Sequence, residues 1–236
     1  MAEVVVGIHQ PNFLPWLGYF DKLASSDVFV LLDTVKFSRG ARTNRVQVLA
    51  GTRPLWLTVP VRRPDHGEPR IADALINDGT PWRRKAVGTL HGSYGRQPGF
   101  EETLELVQPV LDDATDRLAV LNEHAIRRIA AALALDRTRV VRASELEVKG
   151  ASSEHLAGLV HALGGTVYLS GSGADGYLDA TPFAERGIEV RVQRFSPPEY
   201  PQDAPEPVHG LSIVDAMMSL GVDGVRELLQ ANGATA

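Results

Sequence analysis

Residues 4–32, VVVGIHQPNFLPWLGYFDKLASSDVFVLL, decide the fold. Val4 to Ile8 is too short for a helix and rich in β-branched residues, so it reads as a parallel strand buried on both faces. The strand empties into a loop with two prolines set among aromatics, the kind of constrained segment that a strand presents to a ligand. Gly18 to Ser25 has helical spacing, with Leu17, Phe20 and Leu23-Ala24 as its apolar positions, and Asp27 then introduces a second buried strand, Val28 to Leu32. Strand, helix and strand in so few residues make a βαβ unit. Ligands of such units collect where strand carboxyl ends meet helix N-termini.

Beyond this unit, residues 33–45, DTVKFSRGARTNR, form a polar, cationic loop. Val46 to Leu49 and Leu55 to Val61, separated by the turn signal Ala50-Gly51-Thr52, read as a β-hairpin. From Pro81 to about Leu135 the pattern is helical, broken at Pro98-Gly99 and most amphipathic from Asp112 to Leu133. Arg139 to Val141 reads as a returning strand. Ser152 to Leu163 reads as a helix capped by Ser152 or Ser153, and Thr166 to Leu169 and Ile188 to Val192 as further strands. The proline-rich run 197–207 must be irregular, and Ser212 to Leu220 and Asp223 to Ala231 close the chain as two short helices. The expected fold is one α/β domain over residues 1–236. It is a parallel, Rossmann-like (nucleotidyltransferase-like) sheet with a β-hairpin insertion and a helical lobe at about 81–135.

Composition limits the function classes. With 24 basic and 29 acidic residues the formal charge is −5, which lacks the basic excess that tracking duplex nucleic acid requires. The absence of cysteine removes disulfides, thiolate zinc sites and a cysteine nucleophile. The N-terminus enters a strand directly, with no basic region or long apolar stretch, so a cytoplasmic protein with no membrane partner is expected.

Chemistry is expected at three loops. In the first, His9 either locks the loop through a backbone hydrogen bond or acts as a general base, its titration range suiting both. Gln10 is expected to orient a ligand, and Trp16 or Tyr19 to stack on a base or sugar ring. In the second, Lys36, Arg39, Arg42, Asn44 and Arg45 gather four cations and an amide within ten residues of an acidic chain. They make either a solvated charge run or a site for phosphate or carboxylate oxygens. Asp33 at its start could bind an ammonium or a ribose hydroxyl, or pair with an arginine. The third, Ser170-Gly171-Ser172-Gly173 with Tyr177, can approach a ligand through backbone N–H groups, but lacks the spacing and lysine of a Walker loop. His66, His91, His124, His155, His161 and His209 form no HExxH or HxH pattern, so no metal site and no cofactor are expected.

Six blocks in order, IHQPNFLPWLGYFDKLASSDVFVLLD, KFSRGARTNR, WLTVPV, WRRK with Tyr94 and Pro98 after it, YLSGSGADGYLD and LSIVDAMMSLG, resemble the WbqC-like family across nearly the whole chain. The resemblance implies a role in bacterial surface-polysaccharide or natural-product biosynthesis, attaching an aminoacyl group such as glycine to an amino sugar. The chain departs from that pattern at Arg42, where an aromatic is common, at Ser219, where asparagine is common, and at His9, where many relatives carry methionine. A second, weaker likeness is to the nucleotidyltransferase branch of α/β folds, with Trp16-Leu17-Gly18-Tyr19 standing in place of the two-histidine HxGH signature.

Three functions follow. The first is amide formation by acyl or aminoacyl transfer from a thioester-like donor, an acyl-carrier protein among the candidates, to an amine of an amino sugar, a sugar nucleotide or a natural-product intermediate. His9 would take the proton and Gln10 and Asn44 would orient the reactants. The second is nucleotidyl or adenylyl transfer, which needs a divalent cation. The third is non-catalytic binding of a nucleotide-sugar.

Overall fold

The computed structural model describes residues 2–63, 65–171, 173 and 178–233. The opening segment folds as β1 (Val5–His9), α1 (Leu17–Ala24) and β2 (Val28–Leu31). β1 and β2 pair in parallel with Val6 opposite Val28 and His9 opposite Leu31. The sheet is completed by β5 (Arg139–Arg142), β6 (Val167–Ser170) and β7 (Glu189–Val192). All five strands run parallel in the order β5-β2-β1-β6-β7. The antiparallel hairpin is separate, pairing β3 (Arg45–Ala50) with β4 (Arg53–Thr58).

The strands' period-two pattern divides the core. Val6, Ile8, Val28 and Val30 face a smaller cluster with Ala157, Val160 and Phe183, supplied by α5 (Ser152–Ala162) and α6 (Thr181–Ala184). Phe29 and Leu31 point the other way, into a larger cluster shared by α1, the hairpin and the helices α2 (Trp82–Tyr94), α3 (Phe100–Leu111), α4 (Leu118–Ala132) and α7 (Ile213–Gly233). The helical lobe therefore packs on the same core as the βαβ unit.

Two expectations need correction. The segment before α4 is a connection, not helix. There Asp113 accepts from the Thr115 N–H at 2.8 Å, so an aspartate bonded to the backbone two residues on holds a turn where a helix was read. Neither serine caps α5. Ala151 occupies the capping position without a side-chain bond, Ser152 opens the helix with a φ of 50° and no capping bond, and the Ser153 hydroxyl instead accepts from the Asp179 N–H at 3.0 Å. The two closing helices do meet at a break, Gly221, whose φ of 73° and ψ of 174° only glycine adopts cheaply. Among the described residues no helix is long and apolar enough to cross a membrane.

Candidate functional site

Chain order explains where a cavity forms. From β1 the chain builds outward through β2 to β5, then returns to the other side of β1 for β6 and β7, so strand order reverses between β1 and β6. A crevice opens at such a reversal beyond the strand carboxyl ends. A cavity of about 650 Å³ lies there, lined by Ile8, His9 and Gln10 from β1, Lys22 from α1, Tyr168, Ser170, Gly171 and Gly173 from β6 and its loop, and Ser152 and Ser153 at the start of α5.

The loop after β1 is held from three sides. Its prolines cannot donate, but their carbonyls accept. Asn122 of α4 donates to Pro11 O at 2.8 Å and to Thr43 O at 2.7 Å. The Ile213 N–H donates to Pro15 O at 2.8 Å, and the Ser212 hydroxyl to Leu14 O at 2.8 Å. Gly18 is required because an added Cβ would lie 2.7 Å from the Phe195 ring and 2.9 Å from the Trp16 indole nitrogen.

His9 sits with its ring edge-on to Tyr19 at 4.9 Å and to Trp16 at 5.4 Å. Its Nδ1 lies 3.1 Å from Gln10 O. A carbonyl can only accept, so the proton resides on Nδ1 and Nε2 keeps its lone pair. Burial, and then the neighbouring Lys22 charge, lower the His9 pKa to about 4 against the weaker opposing effect of Gln10 O. The ring is thus a neutral base at neutral pH. Gln10 Oε1 accepts from the Thr43 hydroxyl at 3.2 Å, which leaves its amide N–H groups as the end it can offer a ligand.

Lys22 was not among the residues singled out from sequence. It is 2% exposed, its Nζ donates to Ile8 O at 2.8 Å, and burial lowers its pKa to about 7. The signal existed in α1, where Lys22 falls one turn from Tyr19 in an eight-residue helix with seven buried positions.

The remaining expected residues separate. Tyr19 is fully buried and donates its hydroxyl to Gln10 O at 3.3 Å, so it is framework and not a stacking platform. Asp33 accepts from the Ser144 N–H and hydroxyl at 2.9 and 2.6 Å, binding neither an arginine nor an open space. Asn44 is buried and donates to Val59 O at 3.0 Å. Ser170 is buried at the cavity floor. Ser172 and Tyr177 lie outside the described residues.

The cationic loop does not line the cavity, and its arginines are engaged elsewhere. Lys36 is exposed and its backbone bridges to Arg70. Arg39 pairs with Glu68 at 2.9 Å and donates to the Val61 and Arg62 carbonyls. Arg42 stands 5.4 Å over the Trp16 ring and donates to Gly210 O at 2.8 Å. Its pKa is lowered by burial and by the charge of Arg45. Arg45 lies 4.2 Å over the Trp56 ring, with its buried Nε unpartnered. Trp16 therefore stands between His9 and Arg42. It also lines a smaller cavity of about 160 Å³ with Phe195, Tyr200 and Gly210. Among the described residues no group of three or more His, Cys, Asp or Glu side chains could hold a metal ion.

The profile of the WbqC-like protein family matches residues 10–227. An uncharacterized protein of Mycobacterium tuberculosis (strain ATCC 25618 / H37Rv), Rv1507c, is 31% identical over 186 residues, covering 78% of this chain and 80% of its own. No solved structure matches the chain.

Proposed function

The chain belongs to the WbqC-like protein family, and we propose that it forms an amide by transferring an acyl or aminoacyl group from a thioester-like donor to an amine of an amino sugar or natural-product intermediate. The observation that supports this reading most is the His9 ring, neutral and with Nε2 unprotonated, at the carboxyl end of the central strand in the switch-point cavity. With no cysteine in the chain, the amine attacks the acyl carbon directly. The C–N bond forms, the C–S bond breaks with the thiolate leaving, and the amine proton passes to His9 Nε2. Gln10 orients the reactants through its amide. The backbone N–H groups at Gly171 and Gly173 meet the developing oxyanion.

The test is an aminoacyl-pantetheine thioester incubated with a nucleotide-linked amino sugar, with amide product followed by mass spectrometry. Wild type is expected to turn over, and His9→Gln to lower turnover by roughly 10²–10⁴-fold at unchanged acceptor affinity. Equal rates in the two proteins, or full activity in His9→Met, would remove the base from the mechanism.

Nucleotidyl transfer is the second reading, favoured by a cavity at the reversal of strand order, where α/β sheets bind nucleotides. Release of pyrophosphate that a chelator abolishes would select it. A nucleotide-sugar that raises the melting temperature without any turnover would select non-catalytic binding.

A further inference from the structure

We propose that the switch-point cavity captures its ligand through an oxyanion seated on Lys22, and that capture loads a proton onto this lysine. The inference rests on the cavity being the ligand site but is independent of which reaction follows.

The argument begins with an imbalance of charge. Lys22 is 2% exposed, yet among the described residues its Nζ has one hydrogen-bond acceptor, Ile8 O at 2.8 Å, and an ammonium carries three donors. Burying such a group is expensive unless an anion accompanies it. None of the described residues lining the cavity is acidic. His9 and Tyr168 are its other titratable lining groups, and His9 adds to the positive side whenever it is protonated.

Acidic side chains on the surrounding elements are committed elsewhere. Asp21, beside Lys22 on α1, accepts from Gln193 at 2.6 Å. Asp27, before β2, accepts from the Val5 N–H at 2.8 Å. Asp33 is held by Ser144. Glu154, in the first turn of α5, pairs with Arg186. Asp179 accepts from the Thr181 N–H.

With no acid facing it among the described residues, the lysine is poised between its two forms, since burial brings its pKa to about 7. An oxyanion in the cavity supplies the missing charge and draws the lysine to its ammonium form. Two hydroxyls, Ser152 and Ser153, and the Gly171 and Gly173 backbone line the same space. Phosphoryl and carboxylate groups share the required chemistry.

Sulfate tests the inference because it does not titrate between pH 6 and 9. At constant ionic strength, calorimetric titration of wild type should show binding at pH 6 and an affinity that falls about tenfold for each pH unit above about 7. At pH 8, comparing two buffers of different ionisation enthalpy should reveal uptake of about 0.9 proton per sulfate. Lys22→Met should abolish this binding. Sulfate binding and proton uptake are read without any turnover, which separates this inference from the acyl-transfer assay. Preference for sulfate over acetate assigns the seat to a phosphoryl group, and the reverse preference to a carboxylate; the pH signature is the same for both. The inference is overturned by no binding of either anion at pH 6, by affinity that is flat from pH 6 to 9 without proton uptake, or by a Lys22→Met protein that binds as wild type does. Should Lys22→Met fail to fold, the wild-type pH series and proton count decide alone.

Discussion

Two buried polar clusters in this molecule are built on opposite rules. Around Asp215 the carboxylate has a donor at each oxygen, with Tyr94 at 2.5 Å and Tyr200 at 2.9 Å, and the Tyr94 hydroxyl accepts the Leu49 N–H at 2.7 Å. The cluster ties α2, β3, the proline-rich segment before α7 and α7 itself together. Around Lys22 the described residues supply a buried amine with one carbonyl and no acid, and it faces a cavity that also holds a neutral histidine. A polar group whose partners are all supplied by the protein stabilises the fold, whereas one left short of partners is completed by something that binds.

The sharpest way to break this contrast is to remove Asp215. Asp215→Ala strips two hydrogen bonds to a charged group, at an expected cost of about 3–5 kcal/mol in a urea unfolding curve. Sulfate affinity should not change. Lost anion binding with unaltered stability would reverse the assignment of the two clusters.

His9 gives the next effect, read from pH. Its folded pKa of about 4 lies below the unfolded value of about 6.5. The unfolded chain therefore binds more protons between pH 4 and 6.5, and stability rises with pH across that window. Relative to His9→Gln, wild type should gain about 3 kcal/mol from pH 4 to 6.5. The difference between the two proteins isolates the histidine from the carboxyl groups that titrate nearby, and a constant difference would mean the ring is not desolvated.

Lys22→Met should move stability in the opposite direction from Asp215→Ala. Replacing an uncompensated buried cation with an apolar chain of similar length should stabilise the protein by about 1–4 kcal/mol at pH 7. The lysine's folded pKa of about 7 lies below its unfolded value of about 10.4. Wild type therefore recovers stability as pH rises from 7 toward 10, and the gap to Lys22→Met should close over the same range. A destabilised Lys22→Met would mean that the Ile8 bond outweighs the cost of burial, and the lysine would join the structural cluster.

The contrast between these clusters also separates what was legible in the sequence from what was not. The opening strands were readable because β-branched runs bounded by Gly, Pro and Asp admit few alternatives, and Val28 to Leu31 is buried throughout. The break at Gly221 was readable from local composition. Strand order was not, because the placement of β6 beside β1 depends on contacts some 160 residues apart. The cationic loop drew attention through charge density, yet its arginines are engaged by Trp16, Trp56, Glu68 and backbone carbonyls. Lys22 was not legible, because nothing local in an Asp-Lys pair of a short helix tells a buried lysine from a solvated one. Only the demand of its neighbours for burial brings it inside.

The smallest effect concerns Tyr200, which belongs to the satisfied cluster through its hydroxyl and to the smaller cavity beside Trp16 through its ring. Tyr200→Phe keeps the ring and deletes one hydrogen bond, while Tyr94 still donates to Asp215. Part of the Tyr200 side chain reaches solvent, so water can replace the lost donor, and the expected cost is about 0.5–1.5 kcal/mol. Tyr94→Phe should cost more, because it also strands the buried Leu49 N–H. Both variants should bind sulfate as wild type does, since neither residue touches the Lys22 cavity. If Tyr200→Phe instead weakened sulfate binding or turnover at nearly unchanged stability, the cavity beside Trp16 and the one at His9 would be parts of one site. The line between structural and ligand-completed clusters would then have to be drawn through Tyr200 itself.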